Sequence, residues 1–225
     1  MAKDCPWSHY DPATISFCEE RLCAWIAEPS NTWSNLAYIG VGIYILYLCR
    51  SQLTNILSSV GLTAILVGIG SFAFHATGTW WGEFLDVSAM FLISGQFITF
   101  AVKRQFKWGN GALFVLYFLV TGLSMLLLWN IRKIGIPLFA LHVTIAGTLE
   151  FWMFFKRQVP TNYSYMLKLI AAFVVAFTAW NLDISGILCD PTNHFITGHA
   201  VWHVSNSLCL YFFYKFNLQF EEAAT

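Results

Sequence analysis

Seven apolar runs, each roughly 20 residues long, constrain the fold of this chain more than any other feature of its sequence. A helix needs about 20 mostly apolar residues to cross roughly 30 Å of hydrocarbon. Polar or turn-forming connectors separate the runs. The runs predict helices at 32–49, 55–76, 83–102, 111–129, 134–155, 165–182 and 195–216. The pattern therefore predicts an all-α integral membrane bundle of seven transmembrane helices.

The composition agrees with a membrane-embedded chain. Hydrophobic residues make up 57% of the 225 residues and charged residues only 11%, whereas roughly a quarter of a typical globular chain is charged. The 12 basic and 12 acidic residues cancel, so the chain has no net field that would recruit nucleic acid. We expect a non-cytoplasmic N-terminal segment (1–31), one transmembrane domain (32–216) and a short cytoplasmic tail (217–225). The membrane is a bacterial inner membrane or a eukaryotic endomembrane, which the sequence does not distinguish.

The distribution of positive charge predicts the orientation of the helices, because cytoplasmic connectors accumulate lysine and arginine. Four of the 12 basic residues fall on the side of the N-terminus, namely Lys3, Arg21, Arg132 and Lys133. The other eight fall on the opposite side, namely Arg50, Lys103, Arg104, Lys107, Lys156, Arg157, Lys168 and Lys215. The N-terminus is therefore predicted to be outside or lumenal and the C-terminus cytoplasmic.

Four cysteines, Cys5, Cys18, Cys23 and Cys189, fall on the predicted non-cytoplasmic side. Oxidising conditions there permit disulfides. A bridge from Cys18 to Cys189 would tie the N-terminal segment to the loop before the last helix. Cysteine count alone does not choose the partners, and four unpaired thiols remain an equal alternative.

Five polar residues stand within or beside the predicted spans, where ionisable groups are costly and mark function. They are Ser71, His75, Asp86, His199 and His203. Ser71 and His75 are four residues apart, as are His199 and His203, so each pair shares one helix face. Alternation of helix direction brings all five to the same side of the membrane at similar depth. We therefore expect them to form one site.

Three imidazoles leave a tetrahedral zinc with one open position, as in catalytic zinc sites. Asp86 is placed to accept a proton from water at that position, and Ser71 to donate to a developing oxyanion. A polar relay without zinc and a chance coincidence are the competing interpretations. His142, alone within its span, is interpreted as a hydrogen-bonded packing residue.

An ordered series of short motifs resembles the alkaline ceramidase family, part of a superfamily of seven-helix hydrolases that includes the adiponectin-receptor-like proteins. The series covers most of the chain. It comprises Cys18-Glu19-Glu20, Ile26-Ala27-Glu28, Asn31-Thr32-Trp33-Ser34-Asn35, Gly70-Ser71, Phe74-His75, Leu85-Asp86, Trp180-Asn181-Leu182-Asp183 and His199-Ala200-Val201-Trp202-His203.

The resemblance implies a zinc amidase that cleaves a membrane lipid, ceramide, to a sphingoid base and a fatty acid. His75, His199 and His203 match the zinc ligands, and Ser71 and Asp86 match the remaining catalytic positions. The resemblance also implies a disulfide between Cys18 and Cys189.

The acidic N-terminal segment of the family's eukaryotic members also binds calcium. Glu19 and Glu28 match that pattern and Phe17 can offer a carbonyl, but Ser16 stands where an aspartate is expected and Arg21 where an asparagine is expected. An arginine among the ligands repels calcium. We therefore predict that Arg21 pairs with Glu19 or Glu28 and replaces the ion with a salt bridge.

Other functions compete with the amidase interpretation. A receptor of the adiponectin-receptor-like kind would use the same zinc site structurally, but those proteins have a longer, cytoplasmic N-terminal region. A hydrolase acting on an ester lipid would share the site. A transporter or proton channel would also use buried histidine and aspartate. A retinal protein is disfavoured because the last helix has no central lysine, Lys215 lying at its far end.

Overall fold

The computed structural model describes residues 5–51, 56–157 and 160–222. Within these ranges the chain forms helices and no β-strand; one isolated bridge pairs Pro12 with Thr79. The elements are α1 (Pro29–Trp33), α2 (Leu36–Leu48), α3 (Ser58–Thr77), α4 (Trp80–Phe106), α5 (Asn110–Asn130), a 3₁₀ turn (Arg132–Ile134), α6 (Gly135–Lys156), α7 (Ser164–Ile184) and α8 (Gly198–Glu222). The prediction of an all-helical chain is confirmed.

Five helices are long and apolar enough to cross a membrane: α3, α4, α5, α6 together with its 3₁₀ turn, and α7. α2 has only 13 residues. α8 has 25 residues but carries histidine, asparagine, glutamine and lysine among its apolar positions. The count of seven spans and the orientation of the termini therefore remain predictions. The predicted start of the second span, at position 55, lies outside the described residues.

The predicted helix at 32–49 is wrong in one respect, because the chain breaks between α1 and α2. The side chains of Ser34 and Asn35 both donate to the Asn31 carbonyl, at 3.0 and 2.8 Å. That carbonyl would accept the Asn35 amide in a continuous helix, and the amide bonds instead to the Thr32 carbonyl, three residues back. Local side-chain bonds of this kind compete with helical ones.

The last helix begins three residues later than predicted and ends later too. Thr197 Oγ1 accepts the Ala200 amide at 3.0 Å, which is the hydrogen bond of an N-terminal cap. α8 then continues to Glu222, so 217–222, predicted as a tail, is helical in the structure.

The chain divides into two compact units. One comprises Met1–Asp86 and Tyr163–Thr225, and the other comprises Val87–Asn162. In the first unit, α2, α3 and α8 contact one another, α7 packs along α8, and the short α1 contacts α3 and α8. Every residue predicted for the site lies in this first unit.

The buried histidine of the second unit, His142, has a serine hydroxyl beside each of its ring nitrogens. His142 Nδ1 lies 2.9 Å from Ser94 Oγ and His142 Nε2 lies 3.3 Å from Ser124 Oγ. Arg104 and Glu150 form an ion pair. His142 is therefore a hydrogen-bonded packing residue, as the sequence indicated.

Candidate metal centre

Three histidines from two helices meet in the first unit. His75 comes from the last turn of α3, and His199 and His203 come from successive turns of α8. One potential ligand atom from each lies within 4.8 Å of the other two, and all three side chains are buried. The Nε2 atoms of His75 and His199 are 3.2 Å apart. Two nitrogens bound tetrahedrally at zinc–nitrogen distances of 2.0–2.1 Å would be about 3.3 Å apart.

Glu28 holds the first histidine from behind. His75 Nδ1–H donates to Glu28 Oε2 at 2.6 Å, and the Glu28 side chain has no exposed surface. Burial raises the pKa of the Glu28 carboxyl, but His75 and then Arg21 outweigh that effect and leave the pKa below its ordinary value. A carboxylate that accepts from one ring nitrogen leaves the lone pair of the other free for a metal. Glu28 thus directs His75 Nε2 inward.

Ser34 holds the second histidine in the same way. Its hydroxyl hydrogen donates to the Asn31 carbonyl at 3.0 Å, so its oxygen is left to accept. His203 Nδ1 lies 2.8 Å from that oxygen and donates to it. The proton is therefore on Nδ1, and His203 Nε2 carries an unprotonated lone pair.

The third histidine is held differently. His199 Nδ1 is buried and has no hydrogen-bond partner among the described residues. Its ring stacks instead on the ring of Phe17, with centroids 3.6 Å apart and planes inclined by 25°. Its backbone amide donates to Asp183 Oδ1 at 3.1 Å. Stacking and backbone anchoring therefore orient this imidazole.

These observations fit a metal ion held by three neutral imidazoles. Two of the rings have their Nδ1 protons committed to oxygen acceptors, which leaves Nε2 unprotonated. Three histidines with no fourth protein ligand are the donor set of a catalytic zinc site with an open position. The buried three-histidine group of the first unit can thus hold a metal.

Ser71 and Asp86 lie beside the histidines. Ser71 Oγ is 3.4 Å from His203 Nε2, and the Asp86 carboxyl lies close enough to Ser71 and His75 to interact with both electrostatically. Gly70 brings α3 and α4 together here, because a Cβ at this position would lie 2.8 Å from the Leu85 carbonyl oxygen. The structure therefore places all five polar residues singled out in the sequence in one cluster.

The N-terminal carboxylates Glu19 and Glu28 are both bonded to protein donors. Glu19 accepts the amides of Ser30 and Asn31, each at 2.9 Å, and His194 Nδ1 donates to it at 2.9 Å. Glu28 is occupied by His75 and by Arg21, whose Nε donates to Glu28 Oε1 at 2.8 Å. The salt bridge expected for Arg21 is therefore present, with Glu28 rather than Glu19 as its partner.

Two disulfides and the hydrogen bonds of Thr14 to the Glu83 carboxylate hold the N-terminal segment in place. Cys18 is bonded to Cys189, the pairing that the resemblance implies, and Cys5 is bonded to Cys23. Thr14 donates to the buried Glu83 at the start of α4 from both its amide and its hydroxyl. The segment that carries Phe17 and Arg21 is thus fixed over the histidines.

Ser34 and Asp183 contribute to the site in ways that the sequence did not reveal. Asp183 is buried at the end of α7, where it accepts the Cys18 amide at 2.9 Å as well as the His199 amide. Gly198 permits this contact, because a Cβ there would lie 2.9 Å from Asp183 Cβ. The one available signal was a polar residue inside or beside an apolar run, which does not identify its partner.

Comparison with known proteins adds an independent finding. The family model described as Ceramidase matches residues 9–223. Alkaline ceramidase 1 of Homo sapiens is 24% identical over 88% of this chain and 79% of its own length. Alkaline ceramidase 3 of Mus musculus is 26% identical over 92% and 83%, and alkaline ceramidase YPC1 of Saccharomyces cerevisiae is 26% identical over 89% and 74%.

Proposed function

Because this chain belongs to the ceramidase family, we propose that it is a zinc-dependent intramembrane hydrolase that cleaves the amide bond of ceramide or a related N-acyl lipid. The products are a fatty acid and a sphingoid base or another amine. The observation that carries the proposal is the convergence of three buried imidazoles, two of which have their Nδ1 protons held by Glu28 and Ser34.

His75, His199 and His203 are the residues that would hold the zinc. The chemistry that a bound zinc supplies is Lewis acidity, which polarises a carbonyl oxygen and activates water. Phe17, stacked on His199, covers one side of this cluster with an apolar ring. The ring limits access of bulk water from that side.

Asp86 and Ser71 are the residues that act on the amide. Asp86 accepts a proton from the water whose oxygen attacks the carbonyl carbon, and it then delivers that proton to the nitrogen as the carbon–nitrogen bond breaks. Ser71, whose Oγ lies 3.4 Å from His203 Nε2 and near Asp86, donates to the carbonyl oxygen as negative charge develops there. The proton taken from water thus leaves with the amine.

Two observations support a non-cytoplasmic location for the centre. The disulfides Cys5–Cys23 and Cys18–Cys189 lie on the segments that surround it, and disulfides persist in oxidising compartments. The excess of lysine and arginine falls on the opposite connectors. A two-chain lipid can reach the site laterally, since the helices that carry it are embedded in the bilayer in the proposed seven-span topology.

The test is a hydrolysis assay on the purified protein with a panel of ceramides, other N-acyl amides and ester lipids, each with and without a zinc chelator. We expect fatty acid release from ceramide that the chelator removes and zinc restores. His199→Ala should lose bound zinc and turnover together, whereas His9→Ala, at an exposed position of the N-terminal segment, should retain both.

Two results would overturn the proposal. Turnover that survives in His199→Ala would remove the histidine cluster from the chemistry. Zinc binding without chelator-sensitive release from any amide would favour the receptor interpretation, and release from ester lipids alone would favour an esterase.

A further inference from the structure

Arg21 is fixed at three points beside the histidine cluster. Its Nε donates to Glu28 Oε1 at 2.8 Å, one terminal nitrogen donates to the Ile15 carbonyl at 2.8 Å, and the other donates to the Gly78 carbonyl at 3.3 Å. Its side chain is 19% exposed, so the guanidinium is largely removed from water.

The contact with Glu28 has an electrostatic reason. Glu28 is completely buried, and a buried carboxylate without a cation is strongly destabilising. Its two oxygens have separate tasks: Oε1 faces Arg21, and Oε2 accepts from His75 and, at 3.1 Å, from Asn31 Nδ2. The guanidinium therefore supplies the compensating charge and also fixes the plane of the carboxylate.

The contact with Gly78 reaches the same histidine by another route. Gly78 is the C-terminal cap of α3, and His75 lies in the last turn of that helix. The C-terminus of a helix carries partial negative charge, which a cation stabilises. Arg21 thus bonds both to the carboxylate behind His75 and to the end of the helix that carries His75.

We propose that Arg21 is a positioning residue of the metal centre, a built-in cation that orients Glu28 and through it His75, so that the site retains zinc without a second metal ion. The inference rests on the proposed zinc function. Lysine would replace the charge but not the three-point geometry, because its ammonium is a point charge and not a planar fork.

The experiment measures zinc retention against a competing chelator, not activity alone. The proteins compared are the wild type, Arg21→Met, Arg21→Lys, Glu28→Gln and the double variant Arg21→Met with Glu28→Gln. The control is Arg50→Met, which removes an exposed arginine whose guanidinium bonds to the Tyr47 carbonyl at the end of α2. Intact disulfides and an unchanged elution volume establish that each variant is folded.

We expect Glu28→Gln to weaken zinc binding about 10- to 100-fold, the usual cost of losing an outer partner of a metal-bound histidine, and Arg21→Met to weaken it measurably but by no more than Glu28→Gln does. Arg21→Lys should fall between Arg21→Met and the wild type, and Arg50→Met should match the wild type. In the Glu28→Gln background, Arg21→Met should have little additional effect, because Arg21 acts through Glu28. A general role in stability would instead give additive losses.

The outcomes separate the inference from the proposed function. A wild-type protein that does not retain zinc overturns both. A wild type that retains zinc, with Arg21→Met retaining it equally well, overturns the inference alone. Additive losses in the double variant also overturn it, because they show that Arg21 contributes to the fold and not to the position of Glu28.

Discussion

The two units of this protein each bury histidine, and they treat it in opposite ways. In the second unit His142 has a serine hydroxyl beside each ring nitrogen, and among the described residues it belongs to no group of side chains that could hold a metal ion. In the first unit the Nδ1 atoms of His75 and His203 have oxygen partners, while their Nε2 atoms point into a shared cluster with His199.

The difference shows that burial alone does not identify a functional histidine. All four rings are buried, and all four lie on helices with apolar neighbours. What distinguishes the three histidines of the first unit is their convergence, because one potential ligand atom of each lies within 4.8 Å of the other two. Convergence of several imidazoles, and not burial, therefore separates a candidate metal ligand from a packing histidine.

The largest effect should come from Asp86→Asn. This substitution leaves the three-histidine cluster in place but removes the proton acceptor beside it. We expect zinc to remain bound and kcat for ceramide hydrolysis to fall about 10²- to 10⁴-fold. Asp190→Asn, in the exposed loop before α8, is the matched control and should retain full activity. Near-normal kcat in Asp86→Asn would assign proton transfer to another group.

Removing one serine from each unit compares the two kinds of histidine directly. Ser34→Ala takes away the acceptor of His203 Nδ1, and we expect zinc affinity to fall about 10- to 100-fold in a chelator competition. Ser124→Ala takes away a partner of His142 and should leave zinc affinity unchanged. Equal zinc affinities in the two variants would contradict the orienting role of Ser34.

His199 has no acceptor on Nδ1, so its stacked partner should matter less than a hydrogen bond but still be measurable. A stacked aromatic pair is worth about 0.5 to 1.5 kcal/mol, and we therefore expect Phe17→Leu to weaken zinc binding about 2- to 10-fold. Phe17→Tyr preserves the ring and should stay near the wild-type value. A Phe17→Leu protein with unchanged zinc affinity would show that Asp183 and the backbone suffice to hold His199.

The hydrogen-bonded group around His142 should affect the stability of the protein and not its zinc binding. His142→Leu loses two hydrogen bonds and should lower the free energy of unfolding by about 1 to 2 kcal/mol, measured by denaturation in detergent micelles. Its zinc content per molecule should equal that of the wild type. Loss of zinc from this variant would mean that the second unit contributes to the metal centre.

The smallest effect on zinc content and hydrolysis is expected from removing calcium. Since Glu19 and Glu28 are already bonded to protein donors, a calcium-selective chelator should change neither zinc content nor the rate of hydrolysis by more than measurement error. A rate that rises with added calcium and saturates would show that the ion displaces Arg21 from Glu28.

The sequence predicted the histidine cluster because both of its halves follow helical periodicity. His199 and His203 are one turn apart, and the direction of each span placed His75 at the same end. The partners of these rings were not predictable in this way. Ser34 lies 169 positions from His203 in the sequence. It can accept from His203 because the chain breaks between α1 and α2, whereas the apolar pattern predicts one continuous helix there.

The Arg21 salt bridge was predictable in kind but not in detail. The exchange of an asparagine for an arginine among carboxylates indicated a salt bridge in place of an ion, and both Glu19 and Glu28 were open as its partner. The choice depends on the amides of Ser30 and Asn31, which occupy Glu19. Backbone groups at a helix start cannot be assigned to a carboxylate until the path of the chain is known.

The Cys18–Cys189 disulfide can form only late in the synthesis of the described chain. The two cysteines are separated by 171 positions, so at about 5 to 20 residues per second the ribosome adds the second about 9 to 34 s after the first. His199 and His203 follow Cys189 along the chain. The bridge can therefore close only after Cys189 has been synthesised, and closure of the bridge and assembly of the three-histidine cluster depend on the same late-synthesised stretch of the described chain.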